Sequence, residues 1–122
     1  AQRLVRLLCP FCKEPYEARE VDQARIREVL PEVSAPLTLY SNKGCEKCGY
    51  TGFRGRQAIF EVLPVSESVR SAIVAGKDAG AISHLASKET FRPLIHHGFR
   101  KAVEGLTTLS EVLRVTSLSL SE

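Results

Sequence analysis

Cys9-Pro10-Phe11-Cys12 and Cys45-Glu46-Lys47-Cys48 hold all four cysteines of this 122-residue chain. Each C-x-x-C turn aims two sulfurs at one point, and two such turns supply the four thiolates of a tetrahedral ion, with Zn–S bonds of about 2.3 Å. Cys9, Cys12, Cys45 and Cys48 are therefore the expected metal ligands, with structural Zn²⁺ as the cofactor. Spacing alone leaves iron open beside zinc, because a four-sulfur iron site has the same geometry.

Two other uses of paired cysteines fit less well. Disulfide frameworks belong to short secreted chains, and residues 1–8 are broken by Arg3 and Arg6 rather than forming the apolar core of a signal segment. A redox dithiol needs one pair at the start of a helix that follows a strand, whereas here two pairs share the whole cysteine content.

The hydrophobic fraction of 43% and charged fraction of 25% are those of an ordinary folded protein, and no apolar run approaches the roughly 20 residues of a membrane span. The formal charge is +3, and a zinc tetrathiolate, carrying two negative charges, lowers it to +1. Net charge then gives no argument for a nucleic-acid partner. No methionine occurs, and Ala1 reads as an internal boundary of a longer protein.

Texture divides the chain near Pro64. Residues 1–63 carry every cysteine, four of the six prolines and a dense set of turn residues, and are expected to form a tetracysteine metal-binding subdomain. A helix capped by Asp22, with Ile26, Val29 and Leu30 at helical spacing and Pro31 as its stop, should lie between the two turns. Leu37-Thr38-Leu39-Tyr40 alternates like a strand, residues 57–63 are β-prone, and the two are expected to pair antiparallel beside the metal. Residues 64–122 read as a helical extension. Ser66 and Asp78 are N-cap candidates for two short helices, the first with Val69, Ala72 and Ile73 inward, the second with Ile82, Leu85 and Ala86. A third helix is expected from Thr90 to Gly105, with Phe91, Leu94, Ile95, Phe99, Ala102 and Val103 on its apolar face and Pro93 in its first turn. Thr108-Leu109-Ser110-Glu111 forms a capping box for the last helix, whose inward stripe is Leu109, Val112 and Leu113; residues 117–122 should fray. The expected class is α+β: a zinc-knuckle lobe with a small β pair and an inserted helix, then a small helical lobe.

No catalytic constellation is present in the sequence. It contains no G-x-x-x-x-G-K-[ST] loop, its thiols are assigned to metal, and His84, His96 and His97 fall on expected helix surfaces without a partnering carboxylate at helical spacing. Lys43, Lys47, Arg54 and Arg56, interleaved with Tyr50 and Phe53, surround the second knuckle. They read as a solvated rim beside packed aromatics in preference to a nucleic-acid grip.

The runs AQRLVRLLCPFCKEPYEA (residues 1–18), LYSNKGCEKCGYTGFRGRQAIFEVLPV (39–65) and GFRKAVEGLTTLSEVLRVT (98–116) resemble the C-terminal part of the assembly ATPases of type II secretion, also called general secretory pathway protein E, and of their type IV pilus relatives. The ordered tetracysteine, Gly52-Phe53-Arg54-Gly55-Arg56 and Gly105-Leu106-Thr107-Thr108 carry the likeness, and residues 12–18 and 107–116 lean towards the secretion branch. Two departures stand out: His96-His97 replaces a commonly acidic pair, and Ser110 replaces a frequent Glu. The resemblance implies a homo-hexameric cytoplasmic motor, peripheral to the bacterial inner membrane, which drives pseudopilus assembly by ATP hydrolysis. ATP and Mg²⁺ would bind in an ATPase core upstream of Gln2-Arg3-Leu4-Val5-Arg6, and inner-membrane platform proteins would be its partners.

Overall fold

The computed structural model describes residues 1–34 and 36–120. Its elements run β1 (Gln2–Leu8), β2 (Glu14–Glu17), α1 (Glu20–Val29), β3 (Thr38–Ser41), a single 3-10 turn (Glu46–Cys48), β4 (Phe53–Phe60), α2 (Glu67–Val74), α3 (Ala79–Ser87), α4 (Leu94–Val103) and α5 (Leu109–Leu120). The class is α+β, with two small antiparallel pairs and five helices among the described residues.

The strand pairing departs from expectation. β3 and β4 do not pair with each other: β4 lies against β1, and β3 against β2. Neither β1 nor β2 was foreseen, and each has a physical reason for being hard to read. β2 is exposed at all four positions, so no apolar alternation marks it. In β1 only Val5 and Leu8 are buried, Leu4 faces outward, and a bulge between Arg6 and Leu8 shifts the register. β4 starts four residues earlier than expected because β1 offers it a ladder as far as Phe53. It stops at Phe60, after which the Glu61 carboxylate accepts from the Leu94 N–H at 2.9 Å and so serves the first turn of α4.

Helix starts follow local chemistry. Ser66 and Asp78 cap α2 and α3 as expected, accepting from the N–H groups of Val69 and Ala81 at 3.2 and 2.7 Å. α1 begins at Glu20, two residues before the expected cap, leaving Asp22 buried in its first turn, where it accepts from Arg19 Nε at 3.1 Å. α4 begins after Pro93, not at Thr90, since proline holds the preceding residue out of the helical region. Phe91 is thereby freed from α4 and packs with Val69 and Ala86 of the α2–α3 hairpin. α5 is assigned as Leu109–Leu120; the tail expected to fray lies outside the described residues, in its side chains from 117 and altogether at 121–122.

The main core crosses the texture boundary near Pro64. Ile26, Leu30, Leu37 and Leu39 meet Phe99, Ala102, Leu109 and Val112 in one cluster. A second cluster joins Val5 and Ile59 of the long strand pair to Leu94 and Val115 of the last two helices. Gly98 permits this closeness, because a Cβ there would lie 2.5 Å from Val112 Cγ1. The metal-side half and the helical half therefore share one interior.

Candidate metal centre

β1 delivers Cys9 to the first knuckle directly, and the turn closes when Lys13 N–H donates to the Cys9 carbonyl at 3.1 Å. At the second knuckle the 3-10 turn ends on Gly49 in the left-handed region, and the Tyr50 N–H returns to the Cys45 carbonyl at 2.8 Å. Gly52 then ties the two knuckles together. Its N–H donates to Cys48 Sγ at 3.1 Å, and its carbonyl accepts from the Cys9 N–H at 2.9 Å. Its φ of +82° is a glycine conformation, and a Cβ would meet Asn42 Cβ at 2.4 Å.

These turns bring all four expected ligands together. Sγ atoms of Cys9 and Cys45 are 3.8 Å apart, those of Cys12 and Cys48 3.9 Å, and those of Cys45 and Cys48 3.8 Å, with the four sulfurs all within 4.8 Å of one another. Four bonds of about 2.3 Å to one tetrahedral ion require sulfurs about 3.8 Å apart, so the set fits such an ion. All four are free cysteines, whereas a disulfide needs its sulfurs about 2.05 Å apart. Cys48 Sγ also accepts from the Cys45 N–H at 3.2 Å, so two backbone amides point at one sulfur. Burial pushes the Cys12 thiol up to about 12. Burial also opposes ionisation of Cys48, yet the amides of Cys45 and Gly52 outweigh it and hold that thiol down at about 6. Negative charge on sulfur is thus already provided for on the second knuckle. A coordinated thiol is deprotonated outright, so a bound ion would complete that trend.

The centre is anchored to the far half of the chain. Lys13 Nζ donates to the Gly105 carbonyl at 2.9 Å and lies over the Tyr40 ring. Leu8 N–H donates to the Leu106 carbonyl at 2.8 Å, and Thr107 Oγ1 donates to the Arg6 carbonyl at 2.7 Å. Glu111 completes the anchor. Its buried carboxylate accepts from the Arg6 N–H at 2.9 Å, from the Arg6 guanidinium at 3.0 and 3.1 Å, and from Arg114 at 2.8 and 3.1 Å. Burial alone would raise its pKa, but these donors hold it at about 2. The capping box is accordingly half made: Thr108 Oγ1 accepts from the Glu111 N–H at 3.0 Å, while the Glu111 carboxylate turns to the two arginines, whose charge satisfies it better than a lone amide. Sequence reasoning found Glu111 as a cap and missed its main role. It missed Lys13 altogether. A C-x-x-C-G-x-x-G pattern, with amides following the last cysteine, was the available signal for Gly52.

The remaining candidates lie elsewhere or are otherwise engaged. Lys43 pairs with Glu14 at 3.0 Å, while Lys47 Nζ and the Arg54 guanidinium stand 3.9 and 5.7 Å from the Phe11 ring centroid. Arg56 is opposite Arg6 in the ladder, and Phe53 packs under the Arg6 guanidinium, 4.3 Å from its ring centroid. Tyr50 is exposed. His97 Nδ1 accepts from the Phe60 N–H at 2.9 Å, and burial lowers the pKa of both His96 and His97. Among the described residues the group placed to hold a metal is the four cysteines, without a histidine.

The chain has clear relatives. A family model described as "Type II/IV secretion system protein" matches residues 1–114. The type IV pilus assembly ATPase PilB of Thermus thermophilus is 41% identical over 116 residues, which are 95% of this chain and 13% of that protein. Type II secretion system protein E is 40% identical over 116 residues in Dickeya dadantii and 43% over 117 in Pseudomonas aeruginosa, in each case 95% of this chain and 22% of the relative. The chain thus spans less than a quarter of the length of these relatives. With a match over nearly its whole length, the chain belongs to the type II/IV secretion system protein family.

Proposed function

We propose that this chain is the zinc-bearing, force-transmitting part of an ATP-driven motor that assembles a secretion pseudopilus or a type IV pilus. The observation that carries the reading is the set of four sulfurs spaced for one tetrahedral ion, on turns bonded both to each other and to the start of α5. Zinc, when bound, supplies a fixed four-way junction held by Cys9, Cys12, Cys45 and Cys48. Such a junction closes the 32 residues between Cys12 and Cys45 and contributes on the order of 10 kcal/mol to folding of a small metal lobe.

A stiff body of this kind suits a lever or docking face. ATP and Mg²⁺ act in the rest of a homo-hexameric protein, on the cytoplasmic side of the bacterial inner membrane, and this part passes the movement to platform proteins there. Relatives from both branches match at about the same identity, which supports the shared activity, assembly of a filament of pilin-like subunits. The test uses the full-length protein in its native cell. Cys45→Ser with Cys48→Ser should abolish stoichiometric zinc, measured by mass spectrometry of the metal, together with secretion or piliation. Secretion or piliation that persists without the metal overturns the proposal.

A further inference from the structure

An open apolar groove of about 350 Å³ lies well away from the sulfurs, lined chiefly by Leu63, Ile73, Ala79, Ile82 and Phe91. Its surroundings are unusually apolar for a surface. Ile73 is 49% exposed, Val74 82%, and Val62 and Val65 are also exposed. The hairpin beneath has a small interior of its own, Val69, Ala86 and Phe91 with Ile82 against them, separate from the main core. A cluster of that size is a poor support for two exposed helices, and a further apolar cover would complete it.

The β1–β4 ladder points to the cover. Ala1 and Glu61 exchange both backbone bonds at 2.8 Å, and Glu61 is itself on the groove wall. Chain preceding Ala1 would therefore leave the ladder beside Val62 and Leu63, at the rim of the groove. We infer that the segment immediately preceding Ala1 in the longer protein lies in this groove, with an apolar side chain seated among Leu63, Ile73 and Phe91. This inference rests on the reading of the chain as part of a longer motor protein. The α2–α3 hairpin then serves as the clasp between the metal-bearing part and what precedes it.

A photocrosslinker reads this directly in the full-length protein. p-Benzoylphenylalanine in place of the half-exposed Ile73 should crosslink, within one chain, to the dozen residues before Ala1; mixing isotope-labelled and unlabelled subunits separates this from a contact between copies. Hydrogen exchange should in addition show the amides of Val62, Leu63 and Val65 slowed at least tenfold relative to the 122-residue chain. A crosslink to a second copy or to another segment overturns the inference, as does absence of a crosslink or unslowed exchange. Zinc content and ATP hydrolysis of the same preparation report on the motor reading separately, so either idea can fail alone.

Discussion

Glu111 is a buried carboxylate held by two guanidinium groups and a backbone amide, and its pKa of about 2 makes folding sensitive to acid. The group is depressed below its ordinary 4.5, so the folded state binds fewer protons than the unfolded state between those limits. Its contribution is fully present above about pH 4.5 and disappears as pH falls towards about 2. Glu111→Gln should cost about 3 kcal/mol at neutral pH in urea unfolding and flatten the stability profile over that acid range. A second prediction concerns Gly52, where a side chain would meet both Asn42 and an unfavourable φ. Gly52→Ala should weaken zinc retention against a competing chelator by about tenfold or more, because it displaces an amide that points at Cys48 Sγ.

At the scale of elements, α4 and α5 approach through Gly98. Gly98→Ala inserts a methyl group against Val112 and should destabilise the chain by about 1–3 kcal/mol, despite the better helix propensity of alanine. A neutral or stabilising result in thermal unfolding would show that the two helices separate at little cost. Helices were the legible part of this fold, since Ser66, Asp78 and Thr108 announce their starts and the stripe Ile95, Phe99, Ala102 repeats at helical spacing. Strands were only half legible. β3 alternates between buried Leu39 and exposed Thr38, whereas β2 has no buried face and β1 mixes arginines with leucines around a bulge. Partner choice was hidden because it depends on these unmarked strands. The gathering of the four cysteines was legible from spacing, but the groups that support the cluster were not, as Lys13, Arg6 and Glu111 are joined only by the fold.

For the whole molecule, the shared interior decides how metal loss is felt. Ile26 and Leu39 from the metal-side half pack against Phe99 and Val112, so loosening the knuckles also uncovers the helical half. Removal of zinc by a chelator should lower the melting temperature of the chain in one cooperative transition seen by far-ultraviolet circular dichroism. Two separated transitions would mean that the halves stand independently. Packing across residue 64 would thus make a bound metal a determinant of the whole chain's stability. The Arg6–Glu111 pair gives this coupling a direction. Arg6 lies on β1, three residues before Cys9, and Glu111 holds both its backbone and its guanidinium; moving α5 along its axis by one residue, about 1.5 Å, would break the fork. The fork therefore opposes that axial movement, and shifting α5 alone costs these bonds, whereas shifting it together with the strand that leads to the first knuckle does not.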